Sequence, residues 1–505
     1  MSLVFRMDII RKQYSLYKRE SATGENKSVQ HEYRYGRFEE IKNLGCEWSI
    51  VRFHPDNDQD MSIFNNEELC TTENGDQLWR TPTNMEYKVK NFSFATEIKP
   101  ASSIDTQMAR MNQMIQDMPN ETQFWQNRGV TEQTIPGKRV THVIENNTIL
   151  PEVTLYEMTS VHGCPGSGKS TLIVNLIKKI HKNYKCLVVG PSHNVVENFA
   201  EKLAKLVPRP KFSILSEESK IAANLTRFHN SNHPDYDSRN KNALLSDIDV
   251  TLSTVNKNIK GVRKAIIEVL IVDEATRVPI IDFFALVQKM TTLKAIILAG
   301  DPRQMGARIG DNEVENILQF ASRTRLGPVW QLYNQYRFGN DTNDMISKTF
   351  YNGKMIAVRK NRESSIGFVK LSKCCCQDDS ILGCSYEARQ VFKMIKIFRK
   401  CGNDKHILVV TPYKSQFARL KAILPDKDIT LKTLDTIQGD EYDNVIISLG
   451  RHKRAGFLNK KRINVALTRA RYLTIVIGHN RAITDCHPLN RIEALANKAK
   501  FVITI

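Results

Sequence analysis

Gly163-Cys164-Pro165-Gly166-Ser167-Gly168-Lys169-Ser170 stands between an extended apolar segment and a stretch of helical period. The spacing G-x-x-x-x-G-K-S is that of a phosphate-binding loop, and the flanking strand and helix are the context such a loop requires. Its glycines let backbone N–H groups converge on phosphate oxygens, and the following helix adds the positive end of its dipole. Lys169 supplies a mobile cation and Ser170 a hydroxyl suited to Mg²⁺. Pro165, Ser167 and Thr171 complete the nucleotide-binding stretch.

Outward from this loop, the chain beyond about residue 153 alternates short β-branched runs with amphipathic stretches, the pattern of parallel α/β layers. Strands are expected at Cys186 to Gly190, Ile266 to Val272, Ala295 to Ala299, His406 to Thr411, Asn444 to Leu449 and Leu473 to Gly478. Helices are expected at Lys169 to His181, Asn194 to Leu206, Glu387 to Lys400 and Ser415 to Ile423. Two blocks of this alternation divide at Gly327-Pro328, read as a hinge, which gives α/β domains at 151–327 and 328–505. The polar segment 208–246 lacks a periodic apolar face and reads as a loop insertion outside the first sheet. Residues 1–150 lack the alternation, carry turn signals at Asn74-Gly75 and Pro136-Gly137, and hold three of the four tryptophans. A β-rich accessory domain is expected there.

Lys and Arg outnumber Asp and Glu by 73 to 54, a net charge of +19 that favours a polyanionic partner. Ten cysteines, including Cys374-Cys375-Cys376 and Cys384, show no C-x-x-C pairing and read as reduced thiols rather than a zinc site. The N-terminus breaks its apolar residues with charge too early for a signal peptide, and no apolar run reaches the length of a membrane span. An intracellular protein, cytoplasmic or nuclear, with no membrane partner is expected.

A phosphate loop needs a carboxylate at a nearby strand end, and Val269-Leu-Ile-Val-Asp273-Glu274 supplies it. Asp273 is suited to hold Mg²⁺ and Glu274 to act as general base toward an attacking water. Further blocks follow in order. They are Ala299-Gly-Asp-Pro-Arg-Gln304, Gln335-Tyr-Arg337, Val410-Thr-Pro-Tyr-Lys-Ser-Gln416, Thr433-Leu-Asp-Thr-Ile-Gln438-Gly-Asp-Glu441 and Arg462-Ile-Asn-Val-Ala-Leu-Thr-Arg469-Ala-Arg471. With these blocks the chain resembles superfamily 1 helicases, the up-frameshift (nonsense-mediated decay) branch most closely, over residues 155 to 480.

The resemblance implies two RecA-like domains and ATP hydrolysis between them. It assigns Lys169, Ser170, Asp273, Glu274 and Gln304 to the first half of the site, Arg337 and Arg469 to the γ-phosphate from the second domain, and Glu441 to the ribose. It further implies contacts to single-stranded nucleic acid, RNA ahead of DNA, from Pro191, Ser192, Asn194, Thr254, Thr411, Pro412, Tyr413 and Thr433, with 5′ to 3′ polarity. Hydroxyls and amides at such positions grip sugar and phosphate without reading bases. The basic stretches Arg451-His-Lys-Arg454 and Lys460-Lys-Arg462 read as part of an electrostatic groove. The chain departs from its relatives at Thr276-Arg277, Met305-Gly306-Ala307 and Phe338-Gly339-Asn340, positions that bear on coupling rather than on nucleotide charge. No glutamine upstream of the loop is selected as an adenine reader, Gln126 and Gln133 being equivalent. A helicase or translocase therefore stands beside an ATP-gated clamp or remodelling factor that unwinds little, with protein partners expected at the accessory domain.

Overall fold

The computed structural model describes the backbone of strands between residues 34 and 143, and both backbone and side chains over most of residues 158–504. Outside the described residues lie the remainder of 1–157 and the segments 217–220, 234–246, 257–265, 288–289, 291, 310–311, 325–326, 373–382, 402–405, 425–428, 452–457, 500 and 505. The expectations on Gln126, Gln133, Cys374-Cys375-Cys376 and 452–454 fall in those segments.

Six antiparallel strands form a closed barrel near the N-terminus: β1 Arg34–Gly45, β2 Trp48–Pro55, β3 Leu69–Thr72, β4 Gln77–Arg80, β5 Glu86–Lys90 and β6 Glu97–Pro100, in the order β1-β2-β5-β4-β3-β6. Closure removes the free edges that short strands otherwise expose. The β-rich accessory domain is thus a small barrel.

The first α/β unit is an eight-stranded parallel sheet. Its strands are β7 Thr141–Val143, β8 Met158–Gly163, β9 Cys186–Gly190, β10 Phe212–Leu215, β11 Val250–Thr254, β12 Val269–Val272, β13 Ala295–Gly300 and, after a hairpin of β14 Ala307–Ile309 and β15 Asn312–Val314, β16 Val329–Leu332. The order is β10-β11-β9-β12-β13-β8-β16-β7. Burial on both faces explains the unbroken apolar runs: Val269, Leu270, Ile271 and Val272 are all at 0% exposure. Each such side chain contributes roughly 1.5–3 kcal/mol by leaving water.

Three expectations are corrected here. Thr141–Val143, inside the expected accessory domain of 1–150, pairs in parallel with β16 and so belongs to the first α/β unit, three residues being too few to carry a pattern. Phe212–Leu215 lies within the supposed insertion yet is the edge strand of the sheet, paired in parallel with β11. Four residues flanked by polar chain are too few to show a period. Gly327-Pro328 is not the end of the first unit. Gly327 turns at φ +64°, a Cβ there would run into the Met158 carbonyl, and Ser160 N donates to Pro328 O at 3.0 Å. The turn therefore lies against β8 and delivers β16 beside it.

After a short parallel pair, β17 Asn334–Gln335 with β18 Ile356–Ala357, comes a second parallel sheet. It contains β19 Ser365–Leu371, β20 Ile407–Thr411, β21 Ile429–Thr433, β22 Tyr442–Ser448, β23 Ala470–His479 and β24 Val502–Thr504, ordered β21-β20-β22-β23-β19-β24. Each sheet is packed on both faces: the first against clusters around Phe283 and Leu298 and around Ile177 and Phe199, the second against clusters around Phe338 and Val445 and around Val391 and Leu420. The fold is two RecA-like units and a barrel.

Candidate active site

The loop rises from β8 into helix α1, Lys169–Ile180. Gly168, at φ +79°, takes the left-handed conformation that starts the helix, and Gly166 does the same at +70°. Leu172, Ile173, Leu176, Ile177 and Ile180 turn one apolar stripe of α1 onto the sheet, while Lys178 and Lys179 stand in its last turn. Lys169 Nζ donates to the loop carbonyls of Gly163 at 2.9 Å and Cys164 at 3.4 Å.

Ser170 Oγ donates to Asp273 Oδ2 at 3.1 Å, which joins the helix start to the end of β12. Burial, and next the adjacent Glu274 charge, push the Asp273 carboxyl up to about 6. Glu274 has φ +53°, a left-handed conformation uncommon outside glycine, asparagine and aspartate. Its Oε2 accepts from Gln438 Nε2 of the second unit at 2.5 Å. Gln304, 4% exposed, donates through Nε2 to Asp301 Oδ2 at 3.0 Å.

From the second unit, Arg337 donates through Nη1 to Thr468 O and through Nη2 to Glu441 Oε1, both at 2.5 Å. Tyr336 N donates to Gly166 O at 2.9 Å, so the Gln-Tyr-Arg block lies against the phosphate loop. Arg469 is fully buried. Nε donates to Val465 O at 2.9 Å, Nη1 to Asp440 O at 3.2 Å and Nη2 to Thr468 Oγ1 at 3.2 Å. Burial, followed by the Arg337 charge, lowers its pKa to about 10. Glu441 accepts from Arg337 and, at 3.4 Å, from Arg471, and the Arg337 charge draws its carboxyl down to about 2. The carboxylate expected at a ribose is therefore also the anchor of Arg337.

A cavity of about 1130 Å³ is lined by Pro165–Thr171, Asp273, Glu274, Gln304, Tyr336, Arg337, Glu441 and Arg469. Gly163 lies behind the loop and lines a second cavity of about 330 Å³. The donor set fits a magnesium polyphosphate. Ser167 Oγ and Arg337 Nε are buried polar atoms with no hydrogen-bond partner among the described residues. Asp273 is a buried carboxylate beside a hydroxyl, and a cation there would offset its burial.

The residues expected to hold nucleic acid fall at strand ends of the two sheets. Register sets Gly190 beside Thr254 and Thr411 beside Thr433, so threonines end strands in both sheets. The Arg451 guanidinium lies 4.4 Å over the Tyr413 ring, next to Pro412. Pro191 and Ser192 lead into helix α2, His193–Ala204, with Ser192 as its N-cap. Asn194 departs from that group: its Nδ2 donates to Asp440 Oδ1 at 2.9 Å, and it lines the nucleotide cavity. The reason is helical spacing. Asn194, Asn198 and Lys202, four apart, share the face of α2 that looks into the cavity. That spacing is visible in the sequence, whereas the approach of Gln438, Lys432 and Tyr336 depends on how the two sheets meet.

Among the described residues there is no helix long and apolar enough to cross a membrane and no cluster of three metal-binding side chains of His, Cys, Asp or Glu. Cys164, Cys186 and Cys401 are free thiols.

Two family profiles described as AAA domain match residues 147–308 and 316–481. DNA polymerase alpha-associated DNA helicase A of Saccharomyces cerevisiae is 22% identical over 65% of this chain and 64% of its own length. ATP-dependent helicase NAM7 of the same yeast is 27% identical over 65% of this chain and 40% of its own. A regulator of nonsense transcripts 1 homolog of Arabidopsis thaliana is 27% identical over 43% and 20%. The chain thus spans less than two thirds of these relatives. The ordered blocks, the paired sheets and these matches agree: the chain belongs to the superfamily 1 helicases, in the up-frameshift-type branch.

Proposed function

We propose that this protein hydrolyses ATP with Mg²⁺ between its two α/β units and uses the cycle to move along single-stranded nucleic acid, 5′ to 3′. One observation carries the reading: cations from both units, Lys169 on one side and Arg337 and Arg469 on the other, line a single cavity. Lys169 and the loop amides bind the β- and γ-phosphates, and Ser170 and Asp273 hold the metal. When bound, Mg²⁺ neutralises phosphate charge. Glu274 orients and deprotonates the attacking water, helped by Gln304, while Arg337 and Arg469 stabilise charge that grows on the γ-phosphate. Because half of these groups belong to the second unit, opening and closing the cleft is coupled to turnover.

The threonines at the strand ends, with Tyr413 and Arg451, bind the sugar-phosphate chain, so that affinity is salt-dependent and nearly sequence-independent. RNA is favoured over DNA by the branch, and the barrel offers a surface to protein partners. The test is ATPase rate with and without matched single-stranded RNA and DNA. Stimulation by either is expected, and none by both overturns the reading. A clamp that unwinds little is the second reading, favoured by the ion pair of Lys461 with Glu313, which joins the second unit to the hairpin that follows the altered Met305-Gly306 segment. Displacement of duplexes with 5′ or 3′ overhangs separates the two.

A further inference from the structure

Asp301, at the end of β13, accepts two hydrogen bonds on one oxygen. Gln304 Nε2 donates to Oδ2 at 3.0 Å from the first unit, and Tyr351 Oη donates to the same atom at 2.6 Å from the second. Tyr351 follows helix α3, Asn340–Phe350, as its C-cap, and packs in the core of the second sheet. All three side chains are buried, Asp301 at 4%, Gln304 at 4% and Tyr351 at 5% exposure.

The chain of bonds continues. Asn464 Nδ2 donates to the Tyr351 hydroxyl at 2.8 Å and to the Arg303 carbonyl at 2.9 Å. Thr468 Oγ1 donates to Asn464 O at 2.7 Å, and Arg469 Nη2 donates to Thr468 Oγ1 at 3.2 Å. A buried path therefore runs from Gln304, through Asp301, Tyr351, Asn464 and Thr468, to Arg469. It crosses between the units at the Tyr351 hydroxyl.

We propose that Tyr351 is a positioning residue for ATP hydrolysis: its hydroxyl, supplied only when the second unit closes, orients Asp301 and through it the Gln304 amide. The proposal rests on the role given to Gln304 above. With Tyr351 withdrawn, Asp301 Oδ2 loses one of its two donors while Oδ1 stays on Arg303 N at 3.0 Å, so the carboxylate pivots about Oδ1 and carries the Gln304 amide with it. With Tyr351 present, Gln304 and Arg469 are aligned in one movement. Burial strengthens this coupling, because solvent screens a hydrogen bond to the Asp301 carboxylate, 4% exposed, only weakly.

The experiment removes one atom. Tyr351→Phe keeps the ring under the Arg303 guanidinium, which lies 5.5 Å from its centroid, and deletes the donor. Loss of one buried hydrogen bond to a carboxylate lowers kcat by roughly tenfold. The KM for ATP stays within about twofold, since the phosphate loop is untouched. The decisive readout is a cycle with Gln304→Ala: if Tyr351 acts through Gln304, the double variant is no slower than Gln304→Ala alone.

A wild-type kcat for Tyr351→Phe, or losses that multiply in the double variant, overturns the proposal. A wild-type protein that polymers do not stimulate overturns the proposed function instead, so the two failures are distinct. Should Tyr351→Phe not fold, Asn464→Ser, which removes the donor to the Tyr351 hydroxyl, takes its place in the same cycle with the same two outcomes.

Discussion

Gly166 of the phosphate loop and Arg337 of the second unit touch backbone to side chain: a Cβ on Gly166 would sit 2.6 Å from the Arg337 Cβ. The left-handed φ of +70° adds a second reason for glycine. Gly166→Ala therefore combines about 1–2 kcal/mol of backbone strain with a clash that displaces Arg337. The expected result is a lower melting temperature and a fall in kcat larger than the fall in ATP affinity. Equal losses in both would show that Arg337 has no special part in turnover.

Arg469 is aimed by hydrogen bonds to Val465 O, Asp440 O and Thr468 Oγ1. An arginine brought across a cleft accelerates phosphoryl transfer about 10³- to 10⁵-fold. Arg469→Ala is expected to lower kcat by that order while ATP binding, followed with a fluorescent nucleotide, changes little. Lys169→Ala is expected to lose binding and turnover together. Arg469→Lys does not rescue, because an ammonium lacks the planar fork that these acceptors hold. Intact hydrolysis in Arg469→Ala would contradict closure as the trigger.

Glu441 predicts a pH effect. Arg337 lowers its carboxyl from an ordinary value of 4.5 to about 2 in the folded protein. The charged form is therefore favoured by folding. Its contribution is present in full above 4.5 and is lost as pH falls toward about 2. The side chain is 37% exposed, so solvent screens the pair and the gain is modest. Glu441→Gln is expected to flatten the acid limb of a plot of melting temperature against pH, and an unchanged limb would mean that the pair does not form in solution.

What the sequence revealed follows from locality. Lys169, Ser170 and Asp273 were legible because each sits at a strand or helix end marked by its own neighbours. Cys186–Gly190 and Lys414–Ile423 lie within a residue or so of their expected bounds for the same reason. Asn194, expected at nucleic acid, donates to Asp440, a contact that depends on the angle between two sheets. Val329–Leu332, expected in the second unit, pairs with β8 of the first, since a glycine-proline turn looks alike whether it separates domains or feeds one more parallel strand. Tyr351 carried no signal at all, as its partners lie 50 and 113 residues away.

The bond from Gln438 Nε2 to Glu274 Oε2, 2.5 Å long, makes the last prediction. Glu274 stands at the strand end in a strained conformation, and the amide that orients its carboxylate comes from the opposite unit. Hydrogen bonds to charged groups are worth about 1.5–3 kcal/mol, a roughly ten- to hundredfold effect on rate if the geometry persists in the transition state. Gln438→Ala is expected to lower kcat by that factor at saturating ATP and polymer, with KM for ATP nearly constant. Gln438→Glu sets two carboxylates against each other and is expected to cost more than the alanine variant, at least at neutral pH, because repulsion drives the cleft apart. If Gln438→Ala keeps a full kcat, the contact belongs to a resting arrangement and Glu274 reaches its water without help from the second unit.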